Sequence, residues 1–278
     1  MEMVKAKLIL FTLLSLTVCS CGPAYKWRCV SMDGSRTGCT AATSDNVSEA
    51  LGRIGEDGAY TSPSGNLYAP GSVTAKVASV VLSAQPDMAH VKKVIAFSDE
   101  IMTNTGKESP LSNWFVEIVM NKVSALSGKK VDVGIGNFGG IRAGMPKGDV
   151  TLDDIKSMFP FKNYVVYLEL PGSILKSIFE GMAAGRFQAV CGPRIVVEDG
   201  SLVSAEIDGR PIADDELYSV ATISFLLHGG DGLTLADGAV NMKEYEVSIA
   251  DAVLEHIYSL TASGRHVRGS EARYVTIK

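Results

Sequence analysis

Apolar residues recur at helical spacing in several segments of this chain and alternate with polar residues in others. The clearest helix is predicted after Ser109, with Pro110 at its first position and Gly128 at its end. One face of this helix carries Leu111, Trp114, Phe115, Ile118, Val119, Val123 and Leu126. A continuous apolar face of this kind packs into a protein core, so we predict no ligand role for it.

The same patterns predict four further helices and a series of strands. Helices are predicted over 72–82, 151–158, 173–184 and 249–260, and a short helix is possible within 44–54. Strands are predicted over 91–97, 131–135, 163–170, 217–227 and 273–277, with a hairpin over 194–208. Asp199-Gly200 suits the turn of that hairpin, and Thr151 with Asp154 resembles a capping box. Because helices and strands interleave with at least one hairpin, we predict an α+β fold, a layered domain with a mixed sheet.

The N-terminal residues have the pattern of an export signal. Lys5 and Lys7 precede an apolar run that is too short to span a membrane as a mature helix. The sequence before Cys21 resembles a bacterial lipoprotein cleavage box, which predicts a signal peptide over 1–20 and a lipid on Cys21. Lipidation at Cys19 and a plain secretory signal remain alternatives. The predicted location is the bacterial cell envelope, lipid-anchored on a periplasmic or outer-membrane face.

Composition divides the rest of the chain into a tether and a folded domain. Residues 21–70 are rich in Gly, Ser, Thr, Asp and Asn and are predicted to be a tether and loop-rich arm, followed by a domain over 71–278. The formal charge of −5 and the lack of a basic face argue against nucleic-acid binding. Cys29, Cys39 and Cys191 have no zinc-site spacing, and the sequence does not decide whether any of them forms a disulfide.

A glycine-rich turn is the first candidate for ligand binding. Gly139 and Gly140 lack a Cβ, so the backbone there can take positive φ and approach a ligand closely. Arg142 offers a planar fork of donors for a phosphate, and Asn137 can donate to and accept from a ribose or a base. Glycines before a loop are also explained by turn geometry alone, so the motif is weak by itself.

Two aromatic residues and an acid extend this candidate site. Phe161 follows Pro160 after a predicted helix, Phe225 is predicted to end a strand, and Asp231 stands in a glycine-rich run beside Gly230. Flat aromatic faces suit a base, while the polar groups suit ribose and phosphate. Either phenylalanine could equally be a core residue.

These residues belong to motifs that resemble a known family. The motifs are NFGGIR at 137–142, GDVT at 148–151, FPFKN at 159–163, LPGSIL at 170–175 and FLLHGGDG at 225–232. In order and spacing they resemble the C-terminal, substrate-binding domain of the 5′-nucleotidases and UDP-sugar hydrolases, over roughly 89–277. The resemblance implies the mixed α+β fold of that domain.

The resemblance also implies roles for individual residues. Phe161 and Phe225 would stack on the nucleoside, and its polar contacts would come from Asn137, Asn163 and Asp231. Arg142 would bind phosphate, with Gly139, Gly140 and Gly230 shaping the loops and a backbone contact near Gly192. Lys107 stands where the family has a further phosphate-binding arginine, and a lysine keeps the charge but loses the bidentate fork.

In this family, hydrolysis takes place at a two-metal centre in a separate domain. The four histidines of this sequence, His90, His228, His256 and His266, have no metal-ligand spacing. We therefore predict no metal, no cofactor and no catalytic residue in this chain, and a divalent metal pair in a separately encoded metallophosphoesterase partner. We predict that His228 has a structural role or lies at the edge of the binding site, rather than acting as a general base.

Three functional hypotheses follow. In the first, the chain supplies nucleotide binding to a 5′-nucleotidase system and supports phosphoric-ester hydrolysis only together with its partner, in nucleotide catabolism. In the second, it is a stand-alone nucleoside- or nucleotide-binding envelope lipoprotein without catalysis. In the third, it is a structural lipoprotein that has kept the fold and lost the ligand.

Overall fold

The computed structural model of this chain describes residue 42 and residues 45–278. The predicted signal peptide, the lipidation site at Cys21, the alternative at Cys19 and the first half of the tether lie outside the described residues, as do Cys29 and Cys39. The structure therefore does not test these predictions.

Eight α-helices and fourteen strands make up the described part of the chain. The helices are α1 (Val47–Leu51), α2 (Val73–Ser83), α3 (Gln85–Met88), α4 (Pro110–Ser127), α5 (Leu152–Met158), α6 (Gly172–Ala184), α7 (Ser224–Leu227) and α8 (Ile249–Ala262). The strands up to the glycine turn are β1 (Arg53–Ile54), β2 (Tyr60–Thr61), β3 (Leu67–Tyr68), β4 (Val94–Ser98) and β5 (Val133–Gly136). After it come β6 (Gly148–Thr151), β7 (Tyr164–Pro171), β8 (Ala189–Cys191), β9 (Arg194–Glu198), β10 (Ser201–Ile207), β11 (Arg210–Pro211), β12 (Leu217–Ile223), β13 (Asn241–Ser248) and β14 (Val275–Ile277).

The central sheet has five strands in the order β13-β7-β12-β5-β8. Strands β12 and β5 are parallel, whereas the other neighbours are antiparallel. A second sheet, β11-β10-β9-β14, contains the predicted hairpin, with Asp199 and Gly200 in the left-handed region at its turn. Helices pack on mixed sheets, so the predicted α+β fold is confirmed.

Helix α4 packs against the central sheet and fixes the position of β5. Its buried face includes Leu111, Phe115 and Val119. A Cβ on Gly134 would lie 2.7 Å from Val116 Cγ1, and one on Gly136 would lie 2.8 Å from Phe115 Cε1. Because only glycine permits this approach, the strand lies directly on the helix and delivers the glycine turn at a fixed place.

Four predicted segments differ from the structure in detail. The strand predicted over 217–227 ends at Ile223, and Phe225 lies in the short helix α7 instead of ending a strand. The strand predicted from residue 91 begins at Val94. The arm before residue 70 contains three short strands besides α1, which lies within the range 44–54 given for a short helix. Helix α2 is present, but Val73, Val77, Val80 and Val81 are exposed while Ala75 is buried.

The remaining fold details concern the membrane and the cysteines. Among the described residues, no helix combines the length and the apolar character needed to cross a bilayer.

Cys191 is a free, buried cysteine, and burial raises the pKa of its thiol to about 11. It is therefore a neutral thiol at physiological pH.

We expect Ser109→Ala to lower the free energy of unfolding by about 1 kcal/mol, because it removes the N-cap of α4. Ser109 Oγ accepts from the N–H of Ser112 at 3.3 Å, and Ser112 Oγ accepts from the N–H of Ser109 at 2.9 Å. Urea unfolding would measure the change. Ser177→Ala is the matched control, since this exposed serine lies inside α6, where alanine is the better helix former. Equal stability of the two variants would contradict the capping role.

Candidate functional site

The glycine turn leaves the C-terminal end of β5. Asn137 follows the strand and is buried, with 5% of its surface exposed, and Phe138–Gly140 form one turn of 3-10 helix. Neither Gly139 nor Gly140 has positive φ, so the conformational freedom expected of them is not used. Instead, a Cβ on Gly140 would lie 2.5 Å from Asn137 Oδ1. Glycine at this position makes room for the Asn137 side chain.

Asn137 and Asp231 join the two loops that the sequence singled out. Asn137 Nδ2 donates to Asp231 Oδ2 at 3.0 Å, and Asp231 is held in the left-handed region with φ of 53°. Asn137 Oδ1 is buried and has no hydrogen-bond partner among the described residues. A buried acceptor without a partner is costly, so this oxygen is suited to accept a hydrogen bond from a ligand hydroxyl or amine.

Phe225 lies over the Gly229–Gly232 loop. A Cβ on Gly230 would lie 2.4 Å from Phe225 Cε1 and 2.5 Å from the Phe225 carbonyl oxygen. Glycine at residue 230 is therefore needed for the ring to lie against the loop that carries Asp231. Phe225 is 41% exposed, so it is accessible to a ligand beside this acid.

Arg142 and Phe161 form a second pair of neighbouring side chains among the candidate residues. The N–H of Arg142 donates to the carbonyl of Met158 at 2.9 Å, which holds the glycine turn against the end of α5. Arg142 Cζ lies 5.8 Å from the centroid of the Phe161 ring, within cation–π range. Phe161 is 49% exposed. The guanidinium therefore lies over one face of a half-exposed ring.

The backbone brings the Phe161 and Phe225 segments next to each other. Val165 pairs with Ile223 across β7 and β12, and the N–H of Tyr164 donates to Ser224 Oγ at 3.0 Å. The two phenylalanine rings make no ring contact with each other within the described chain. Both rings are partly exposed and lie on adjacent segments, so both are accessible to a planar ligand.

Asn163 lies between these aromatic segments. Its N–H donates to the carbonyl of Phe161 at 2.9 Å, and its own carbonyl accepts from the N–H of Ile249 at 2.9 Å. No partner of its side chain is found among the residues described. The amide is thus held by its backbone and is available to a ligand.

Lys107 lies in a loop that contacts the glycine turn through Asn104. Asn104 Nδ2 donates to the carbonyls of Phe138 and Ile141 at 2.7 and 2.8 Å, and its Oδ1 accepts from the N–H of Gly106 at 3.0 Å. Sequence reasoning missed Asn104. The signal available was an Asn two residues before a glycine, which favours an Asx turn, although that pattern does not identify the two carbonyls.

Gly192 is the predicted residue that the structure places elsewhere. Cys191 pairs with Gly134, whereas Ala189 pairs with Gly136, so Gly192 lies beyond the opposite end of β5 from the glycine turn. A Cβ on Gly192 would lie 2.2 Å from the Asp132 carbonyl oxygen, which explains the glycine by packing. From this stretch it is Gln188 that contacts the turn, where its Oε1 accepts from the N–H of Phe138 at 3.4 Å.

The site contains charged and polar groups but no cluster of metal ligands. His228 Nε2 lies 3.4 Å from Glu244 Oε2, and the His228 side chain is largely exposed beside the loop. Within residue 42 and residues 45–278, no group of three or more His, Cys, Asp or Glu side chains could hold a metal ion. The groups gathered here can stack, hydrogen-bond and attract an anion.

Comparison with known proteins identifies the family of this domain. The family model of the 5′-nucleotidase C-terminal domain matches residues 87–238. A solved structure of a 5′-nucleotidase precursor from Thermus thermophilus superposes with a TM-score of 0.63 and 26% identity, over 75% of this chain and 44% of that protein.

Curated relatives show the same similarity over a shorter stretch. The silent protein UshA(0) of Salmonella typhimurium is 29% identical over 44% of this chain and 24% of its own length. An apyrase of Tabanus yao is 33% identical over 44% of this chain and 26% of its own length. The matched stretch thus spans about a quarter of each relative. The family model covers more than half of the sequence, and the fold superposes on that of a solved 5′-nucleotidase precursor. This chain therefore belongs to the family of 5′-nucleotidase C-terminal domains.

Proposed function

We propose that this chain binds a nucleoside or nucleotide for a 5′-nucleotidase system. The base lies between Phe161 and Phe225, the ribose meets Asn137 and Asp231, and the phosphate faces Arg142 and Lys107. The observation that carries this proposal is the 3.0 Å hydrogen bond between Asn137 and Asp231, which joins the two loops and leaves Asn137 Oδ1 buried without a partner. The family supports the substrate class.

We further propose that the metal-dependent step belongs to a separately encoded metallophosphoesterase. This chain would hold the phosphate in place for attack at the partner's two divalent ions, a contribution of positioning rather than of bond breaking. A lipid on Cys21 would keep the chain at the bacterial cell envelope, where the partner and an exported nucleotide could meet.

The test combines binding with turnover. Calorimetry on the soluble chain should show that adenosine and AMP bind, and phosphate release from AMP by a candidate metallophosphoesterase of the same bacterium should accelerate when the chain is added. A rate no higher than that of the enzyme alone would contradict the partnership, and binding without acceleration would favour a stand-alone binding protein. Hydrolysis by this chain alone with added divalent metal would overturn the assignment of catalysis to a partner.

A further inference from the structure

The loop over residues 103–107 is built as one unit with the glycine turn. Asn104 makes three hydrogen bonds of 2.7–3.0 Å, two to carbonyls of the turn and one from the N–H of Gly106. Gly106 has φ of 70°, a left-handed conformation that favours glycine. Lys107, the next residue, is therefore carried on a backbone that is fixed relative to Arg142.

Arg186 reaches this loop from the end of α6. Its Nη2 lies 3.3 Å from the position that a Cβ on Gly106 would occupy, so the guanidinium lies beside Gly106. Two residues later, Gln188 accepts from the N–H of Phe138 in the glycine turn. The segment from 186 to 188 thus touches both the Lys107 loop and the turn that leads to Arg142.

None of these three cations has an acidic partner within the described residues, as is true of several other Lys and Arg side chains there, whereas five further cations are ion-paired. Lys122 pairs with Glu255, Lys129 with Glu169, Lys130 with Asp208, Lys176 with Asp214 and Arg268 with Asp99. Glu108, next to Lys107, uses its carboxylate to accept from the N–H groups of Tyr274 and Val275 and so faces another part of the fold. Unpaired positive charge around one loop, in a chain of net charge −5, favours an anionic ligand.

We propose that Arg186 binds the phosphate of the nucleotide together with Arg142 and Lys107. Lys107 offers a single ammonium, whereas Arg186 offers a planar fork that can donate two parallel hydrogen bonds to phosphate oxygens. This inference rests on the proposed function of the same site, and it names a residue that no sequence motif indicated. The ligand class that follows is a nucleoside phosphate rather than a free nucleoside.

Calorimetry with adenosine and with AMP separates this role from that of the rest of the site. For Arg186→Gln we expect the affinity for AMP to fall about tenfold, the usual effect of losing a charge-assisted hydrogen bond, while the affinity for adenosine stays unchanged. For Arg186→Lys we expect an affinity for AMP between those of the wild type and Arg186→Gln, because lysine keeps the charge and loses the fork. Arg210→Gln is the matched control. Arg210 is exposed near the Lys130–Asp208 pair, beside the opposite end of β5.

The outcomes distinguish this inference from the proposed function. If Arg186→Gln leaves the ratio of AMP affinity to adenosine affinity at the wild-type value, Arg186 does not bind phosphate, although the site itself stands. If the wild-type chain binds neither ligand, the proposed function fails and this inference fails with it. An equal loss of affinity for both ligands would show a structural role and would also overturn the assignment.

Discussion

Replacing both Phe161 and Phe225 with alanine is expected to weaken adenosine binding by about a hundredfold or more. Stacking of a base on an aromatic side chain contributes about 1–3 kcal/mol per ring, and the base in this site would lose both faces. AMP should lose the same factor as adenosine, because the stack acts on the base and not on the phosphate. Calorimetry would measure both losses, and each single variant should show an intermediate one.

Phe97→Ala is the matched control for this experiment. Phe97 is 42% exposed, close to the 49% and 41% of Phe161 and Phe225, but its ring packs on His266 at 4.9 Å. Its removal should leave adenosine affinity unchanged. Wild-type affinity in the double variant would rule out the base-stacking site, whatever the rest of the chain binds.

The elements that the sequence predicted well are those whose ends are set by local chemistry. Helix α4 begins at the Ser109 capping box and stops at Gly128, which is in the left-handed conformation with φ of 69°. Thr151 and Asp154 cap α5 in the same reciprocal way. These interactions join residues close together in the sequence, so a pattern read along the chain contains all of their partners.

The predicted end of β12 is wrong because the Ser224 side chain, and not a further strand residue, bonds to the neighbouring strand β7. The apolar run continues past Ile223, which favours a longer strand, but Ser224 Oγ accepts the N–H of Tyr164 and the chain turns into α7. The exposure of Val77 and its neighbours on α2 is a related case. Periodicity predicts that a helix forms and which residues share a face, but not what covers that face.

No local sequence pattern predicts that the residues of the candidate site come together in space. Asn137 and Asp231 are 94 residues apart, and Asn104 bonds to carbonyls 34 and 37 residues away. Residue chemistry indicated that an amide, an acid, two rings and an arginine would suit a nucleotide, and the family resemblance indicated that they meet. Arg186 carries no motif at all, and it is connected to the site by its position beside Gly106 and by the bond of Gln188, two residues later, to Phe138.

Asn137→Asp is expected to lower the free energy of unfolding by about 2 kcal/mol and to abolish adenosine binding. The change removes the N–H donor to Asp231 and places a second carboxylate 3.0 Å from the first, at a position that is only 5% exposed. Asp231 itself is exposed, so solvent screens part of the repulsion and the cost stays near this value. Urea unfolding and calorimetry would measure the two effects, with Asn121→Asp on the exposed surface of α4 as the control.

The exchanged pair, Asn137→Asp combined with Asp231→Asn, tests whether the hydrogen bond itself holds the two loops together. In this double variant the donor and the acceptor change places, so part of the stability lost in Asn137→Asp should return, while the cost of a carboxylate at the buried position 137 remains. Asp231→Asn alone should cost less than Asn137→Asp, because two amides can still donate and accept. A double variant no more stable than Asn137→Asp would show that the two loops are joined by other contacts. The hydrogen bond between Asn137 and Asp231 would then no longer support the proposed function.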